Sequence, residues 1–167
     1  MEKQRTVLIV DDEDDTRDAL QKLLQRAGIT CLTAASGPEA LAILREQQVH
    51  AVISDHDMPG MDGVELLKLA ATRHPHVGRI LLTARRDAEP AIRAINIAQA
   101  YRFLQKPCRI ADLLTTLHFA FESSDREQET RRLSSQLRRA NSILAEVRRR
   151  APGVVEEIES RQPPLLA

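Results

Sequence analysis

The sequence predicts an α/β protein, a doubly wound five-stranded parallel sheet followed by a C-terminal helical extension. Three observations carry this. Five short aliphatic, β-branched runs alternate with segments whose apolar residues recur at helical spacing. Those runs lack polar alternation, as expected of strands buried on both faces, and right-handed crossovers then require helices on both sides. The chain has 167 residues, 43% of them hydrophobic, which suffices for one core with a segment left over.

Thr6 to Val10 is the first strand. Asp14 is expected to cap a helix carrying Leu20, Leu23, Leu24 and Ala27 inward, with Gly28 ending it. Cys31 to Ala34 forms a second strand, and Ser36-Gly-Pro-Glu39 reads as a capping box opening a helix with Ala40, Leu41 and Leu44 inward. Ala51 to Ser54 is the third strand, and a turn-rich loop runs from Asp55 to Gly63. In that loop Asp62 and Gly63 are read as turn chemistry, Gly supplying a positive φ. A helix starts at Val64 to Leu67, Arg79 to Thr83 is the fourth strand, and Ala88 to Ile97 is a fourth helix. Tyr101 to Leu104 is the fifth strand, and the chain turns helical again from Ile110.

Composition narrows function. Formal net charge is +0, so no whole-chain charge draws the protein to nucleic acid or an anionic membrane. Cys31 and Cys108 lie far apart without metal-type spacing and read as small apolar residues of a reducing compartment. The apolar run Val7 to Val10 is too short for a signal or membrane span, so a cytoplasmic location is expected. Residues 1 to 122 carry 15 Lys/Arg against 17 Asp/Glu, whereas Arg126 to Arg150 carries eight Arg against Glu127, Glu129 and Glu146. This change divides the chain into a globular domain over 1–122, an arginine-rich helix over 123–151 and a flexible tail over 152–167.

In parallel sheets ligands sit beyond the carboxyl ends of the strands, where strand order switches. Strand one ends in Asp11–Asp12 and strand three in Asp55. Three carboxylates in one crevice would repel unless a cation intervened, and hard oxygen ligands suit Mg²⁺ with a phosphate co-ligand. Strand four ends in the hydroxyl of Thr83, and strand five in Lys106, a point cation for a phosphate oxygen. A metal, a carboxylate nucleophile, an ammonium and a hydroxyl make a set for in-line phosphoryl transfer to an aspartate.

In order, Asp11–Asp12, Asp55-His-Asp-Met-Pro59-Gly-Met-Asp-Gly63, Thr83–Ala84 and Lys106–Pro107 resemble the receiver domain of two-component response regulators, over about residues 5 to 122. The resemblance implies a CheY-like fold and a role for each matching residue. Asp55 is the implied phosphoacceptor. Asp12 is the implied direct Mg²⁺ ligand, Asp11 a ligand through water, and the main-chain carbonyl of Asp57 completes the set. Lys106 would contact the phosphoryl group, with a cis bond to Pro107. Thr83 and Phe103 would form the switch, Phe103 replacing the frequent Tyr. Asp57 and Arg85 hold the positions that tune dephosphorylation. The implied donor is a histidine kinase or phosphotransfer protein, and the implied chemistry is self-phosphorylation and autodephosphorylation without a separate catalytic domain. Output would pass through the face made by the fourth helix, fifth strand and fifth helix.

Two competing readings exist. Asp55-His-Asp57 also matches the Asp-x-Asp of haloacid-dehalogenase-type phosphatases, but that motif ends the first strand and here it ends the third. A scaffold or DNA-binding adaptor acting through the arginine-rich helix is the other. No aromatic in that helix offers a base a stacking face, so a solvated charged face is preferred over nucleic acid. Leu133, Leu137, Ala140, Leu144, Val147 and Ala151 recur as a heptad seam, which makes a homodimer an expectation. Ser124-Asp-Arg-Glu127 admits either a new helix start or a helix running straight through. His56 is expected to be exposed and without a catalytic role. No recognisable effector domain follows Glu122, and the downstream partner is left open.

Overall fold

The computed structural model of the chain describes residues 4–84, 102–151 and 153. Its elements are β1 (Thr6–Val10), α1 (Asp14–Arg26), β2 (Thr30–Ala34), α2 (Gly37–Glu46), β3 (Ala51–Asp55), α3 (Gly63–Arg73), β4 (Gly78–Thr83), β5 (Arg102–Gln105) and a long final helix, here α4 (Ile110–Arg150). The helix expected over Ala88 to Ile97, Tyr101, Arg85 and most of the tail beyond Ala151 lie outside the described residues.

The five strands form one all-parallel sheet in the order β2-β1-β3-β4-β5. Strand order reverses between β1 and β3, which makes the crevice beyond their carboxyl ends the place for a site. Side chains on successive strand residues point to opposite faces. Leu8 and Val10 of β1 therefore join Val52, Leu66, Leu67 and Leu81 in one core layer. Val7 and Ile9 join Leu24, Ile53, Ile80 and Leu117 in the other. Both faces are apolar, which is why the strand sequences do not alternate.

The caps differ in part from expectation. Ser36 caps α2, its side chain accepting from Glu39 N at 3.4 Å, while Glu39 Oε2 accepts from Ala35 N at 2.8 Å. Gly28, at φ 78°, follows the end of α1. Asp14, however, is the first residue of α1, and the cap position falls to Glu13, whose side chain makes no capping bond. The Glu13 N–H is instead turned onto Asp11 Oδ1 at 3.0 Å, so this helix start serves the crevice.

Contacts divide the chain into two compact units, Met1–Glu127 and Gln128–Ala167. α4 runs without a break through Ser124–Glu127, so no second helix starts there. The residues that resemble a cap serve otherwise: Ser124 is buried with its hydroxyl unpartnered among the described residues, and the Asp125 carboxylate accepts from both terminal nitrogens of the Arg5 guanidinium at 2.9 and 2.6 Å. Arg5 also lies 5.1 Å from the centre of the Phe121 ring. Cation–π and bidentate contacts at a half-exposed site are worth about 1–2 kcal/mol after solvent screening. Arg5→Ala is expected to lower unfolding free energy by that amount, read as an earlier urea midpoint; an unchanged midpoint would make the clamp ornamental.

The cysteines behave as packing residues. Both lie against the second core layer, and burial pushes the Cys31 thiol up to about 11 and the Cys108 thiol upward as well.

Candidate functional site

The parallel register brings the strand ends together. β1 stops at Val10, and Asp11 follows it, buried, its own N–H donating to Ala34 O at 3.3 Å. β3 ends on Asp55, also buried, one strand away. Carboxylate oxygens of Asp11, Asp12 and Asp55 all lie within 4.8 Å of one another, the grouping anticipated from the two strand ends. Lys106 directly follows β5, where its N–H donates to Thr83 O at 2.8 Å and extends the β4–β5 pairing. Its ammonium reaches Asp11 Oδ2 at 2.8 Å and Asp55 Oδ1 at 2.6 Å. The Lys106–Pro107 peptide bond is cis, as the resemblance implied.

Each buried acid has both oxygens engaged. Asp11 accepts from Glu13 N and Lys106, and Asp55 accepts from Lys106 and from Asp57 N at 2.9 Å. Asp12 is exposed, and among the described residues its carboxylate takes no hydrogen bond or ion pair. Burial pushes the Asp55 carboxyl above its ordinary range; the Lys106 ammonium opposes this and the neighbouring Asp11 charge reinforces it. Burial would lower Lys106, but its bonds to Asp11 and Asp55 outweigh burial and hold the ammonium above its usual range. Three carboxylates face one ammonium, leaving an excess of negative charge partly withdrawn from water. An all-oxygen donor set with such an excess fits a hard divalent cation.

Thr83 ends β4, buried, in register with Gln105. Phe103, two residues before Gln105 on β5, is 37% exposed. Asp57 is exposed beside the crevice. Its proposed tuning partner, Arg85, lies outside the described residues, as does part of the predicted output face.

Three features depart from the sequence reading. His56 is buried, not exposed: its N–H donates to Leu82 O at 2.8 Å, continuing the sheet, and its Nε2 lies 3.9 Å from Asp57 Oδ1. Gly63 does not supply a positive φ, which belongs to Gly60 at 80°. Gly63 is the first residue of α3, capped by Asp62 Oδ1 accepting from Glu65 N at 2.8 Å, and a Cβ there would strike the carbonyl oxygen of Asp55. Arg17 was missed altogether. Its Nη1 donates to the Asp11 carbonyl at 2.5 Å while its Nη2 pairs with Asp14, so the first turn of α1 pins the acidic loop. Its signal in the sequence was an acid–arginine pair at i,i+3 directly after the strand.

A wider groove of about 630 Å³ opens beside Lys106, lined by Leu20 and Leu23 of α1, Leu82, Pro107 and Cys108. No described helix is long and apolar enough to cross a membrane.

Residues 7–118 match the model of the response regulator receiver domain. The chain is 36% identical over 143 residues to the hydrogenase transcriptional regulatory protein HoxA of Cupriavidus necator, covering 86% of this chain and 30% of HoxA. It is 39% identical over 144 residues to the C4-dicarboxylate transport transcriptional regulatory protein DctD of Rhizobium meliloti, covering 84% of this chain and 30% of DctD. The chain thus spans under a third of these relatives. Among solved structures, the signal receiver domain of an HD domain-containing protein from Pseudomonas fluorescens superposes with a TM-score of 0.71 at 34% identity, covering 74% of this chain and 99% of that one.

Proposed function

The chain belongs to the response regulator receiver domain family, and on that premise we propose that Asp55 accepts a phosphoryl group and that the resulting charge switches a protein interaction. The observation that carries this is the convergence of Asp11, Asp12, Asp55 and Lys106 at the crevice where strand order reverses. A carboxylate oxygen of Asp55 attacks phosphorus, the bond from phosphorus to the donor breaks, and the donor leaves with the electron pair. Lys106, already within 2.6 Å of that carboxylate, meets the phosphoryl oxygens as they arrive.

Mg²⁺ is the implied cofactor. Asp12, with its carboxylate uncommitted, is the direct side-chain ligand, together with Asp55 and the Asp57 main-chain carbonyl. Asp11, bonded to Glu13 N and Lys106, would hold the ion through water, as the receiver resemblance implies. Bound there, the ion offsets negative charge on the phosphoryl oxygens.

The donor is a histidine kinase or phosphotransfer protein, and its docking place is the apolar groove between α1 and the loop after β5, which opens next to Lys106. Phosphorylation replaces the single carboxylate charge of Asp55 with about two negative charges carried on the phosphoryl oxygens. Thr83, buried at the crevice, moves toward them, and Phe103, 37% exposed on β5, turns in with it. Output then leaves through β5 and the adjoining helices. Asp57 sets the lifetime of the phosphoryl group jointly with Arg85.

The test is incubation with acetyl phosphate and Mg²⁺, read by intact mass. A gain of one phosphoryl group is expected with the metal and none after chelation by EDTA. No gain at saturating Mg²⁺ overturns the proposal, and an equal gain in EDTA overturns the role given to the metal.

A further inference from the structure

We propose that residues 128–151 pair with the same segment of a second copy of this chain, forming a two-stranded coiled coil. Within the unit beginning at Gln128, the described residues form a single helix up to Arg150. Most helical stability in proteins comes from packing an apolar face, so this stretch gains by burying one. Such a face exists: Leu133, Leu137 and Leu144 are 53%, 62% and 53% exposed. Spacings of four and three place Leu133, Ala140 and Val147 at d and Leu137, Leu144 and Ala151 at a of successive heptads.

The flanks decide the occupant. In a coiled coil the e and g residues lie beside the seam, and their charges select the partner. Here Ser134 and Asn141 fall at e and Gln136 at g, all uncharged, and Ile143 at g widens the apolar stripe. Two identical helices therefore meet over most of the seam without like charges at its edges. A partner helix of acidic chemistry would call for basic flanks. The basic residues Arg131, Arg132, Arg138 and Arg139 instead occupy b and c, on the outer flanks away from the seam, where two copies hold them apart. Arg148 and Arg150 do flank the last turn; Glu146 accepts the side chains of Arg149 and Arg150 and offsets part of that charge. Self-pairing of one patch gives a closed two-fold dimer. The seam spans fewer than three heptads, so pairing is concentration-dependent across the micromolar range.

Light scattering on the full chain tests this. Wild type at high micromolar concentration is expected at twice 18.7 kDa, falling toward 18.7 kDa on dilution. Leu137→Glu places a charge in the seam and is expected to be a monomer at every concentration, whereas Arg138→Glu, on the outer flank, keeps the dimer. Phosphoryl uptake on Asp55 and circular dichroism establish that each variant is folded, since Leu137 lies outside the unit that carries the crevice. A wild type that stays at 18.7 kDa, a mass other than twice that value, or a dimer that survives Leu137→Glu overturns the proposal and leaves the phosphoacceptor reading intact.

Discussion

Asp55→Asn abolishes phosphoryl uptake from acetyl phosphate in Mg²⁺ while leaving the fold in place. The amide oxygen is neutral and a poor nucleophile, so the bond to phosphorus has no donor. The substitution also removes one of three clustered carboxylates and weakens metal binding. The fold should survive because Lys106 retains its 2.8 Å bond to Asp11, and the neighbouring backbone bonds do not involve the Asp55 side chain apart from that of Asp57 N. Stability adds a second readout with a definite sign. Burial raises the Asp55 carboxyl in the folded state, so the native protein binds the proton more tightly than the unfolded chain does. The stability gained from that proton is fully present below the unfolded carboxyl's range and is lost as pH rises through the higher folded value. Metal-free wild type should therefore gain stability relative to Asp55→Asn on acidification and fall behind it near neutrality. Mass spectrometry and urea midpoints across pH check both. A phosphoryl gain on Asp55→Asn equal to that of wild type would move the acceptor elsewhere.

What could be read from the sequence follows from where polar groups are tolerated. A strand buried on both faces admits polar residues chiefly at its ends, so Asp11, Asp55, Thr83 and Lys106 stood out against apolar runs and their convergence followed from the parallel topology. Features that depend on a distant partner were not legible. Ser124-Asp-Arg-Glu127 has the residue types of a helix start, but Asp125 is claimed by Arg5, 120 positions earlier, and the helix continues. His56 next to an acid in a loop sequence suggested exposure, whereas its backbone completes the β3–β4 pairing and draws the ring inward. Local chemistry proposes in each case, and a tertiary contact decides.

Gly63 is the sharpest instance, and its replacement has the other large effect. Gly63→Ala is expected to destabilise the protein by about 3 kcal/mol or more, although Ala exceeds Gly in helix propensity by about 1 kcal/mol. The added Cβ would overlap the Asp55 carbonyl oxygen and come within 2.9 Å of Leu81 Cδ1. The Asp55 oxygen belongs to a strand paired on both sides, so it has no flexible side chain's freedom to yield. The helix must move instead, taking with it the Asp62 cap and the buried Val64, Leu66 and Leu67. Overpacking of that kind distorts backbone and core together. The Gly63 N–H bond to His56 O, at 3.0 Å, ties the same helix start to the residue after the acceptor, so phosphoryl uptake should slow along with the loss of stability. Gly60→Ala provides the contrast. Gly60 has φ 80° with open space around it, so its cost is the local strain of about 1–2 kcal/mol. Urea midpoints of the two variants should rank Gly63→Ala well below Gly60→Ala. The reverse order would mean that α3 stands off from β3, and that this glycine serves the turn and not the close approach that fixes Asp55.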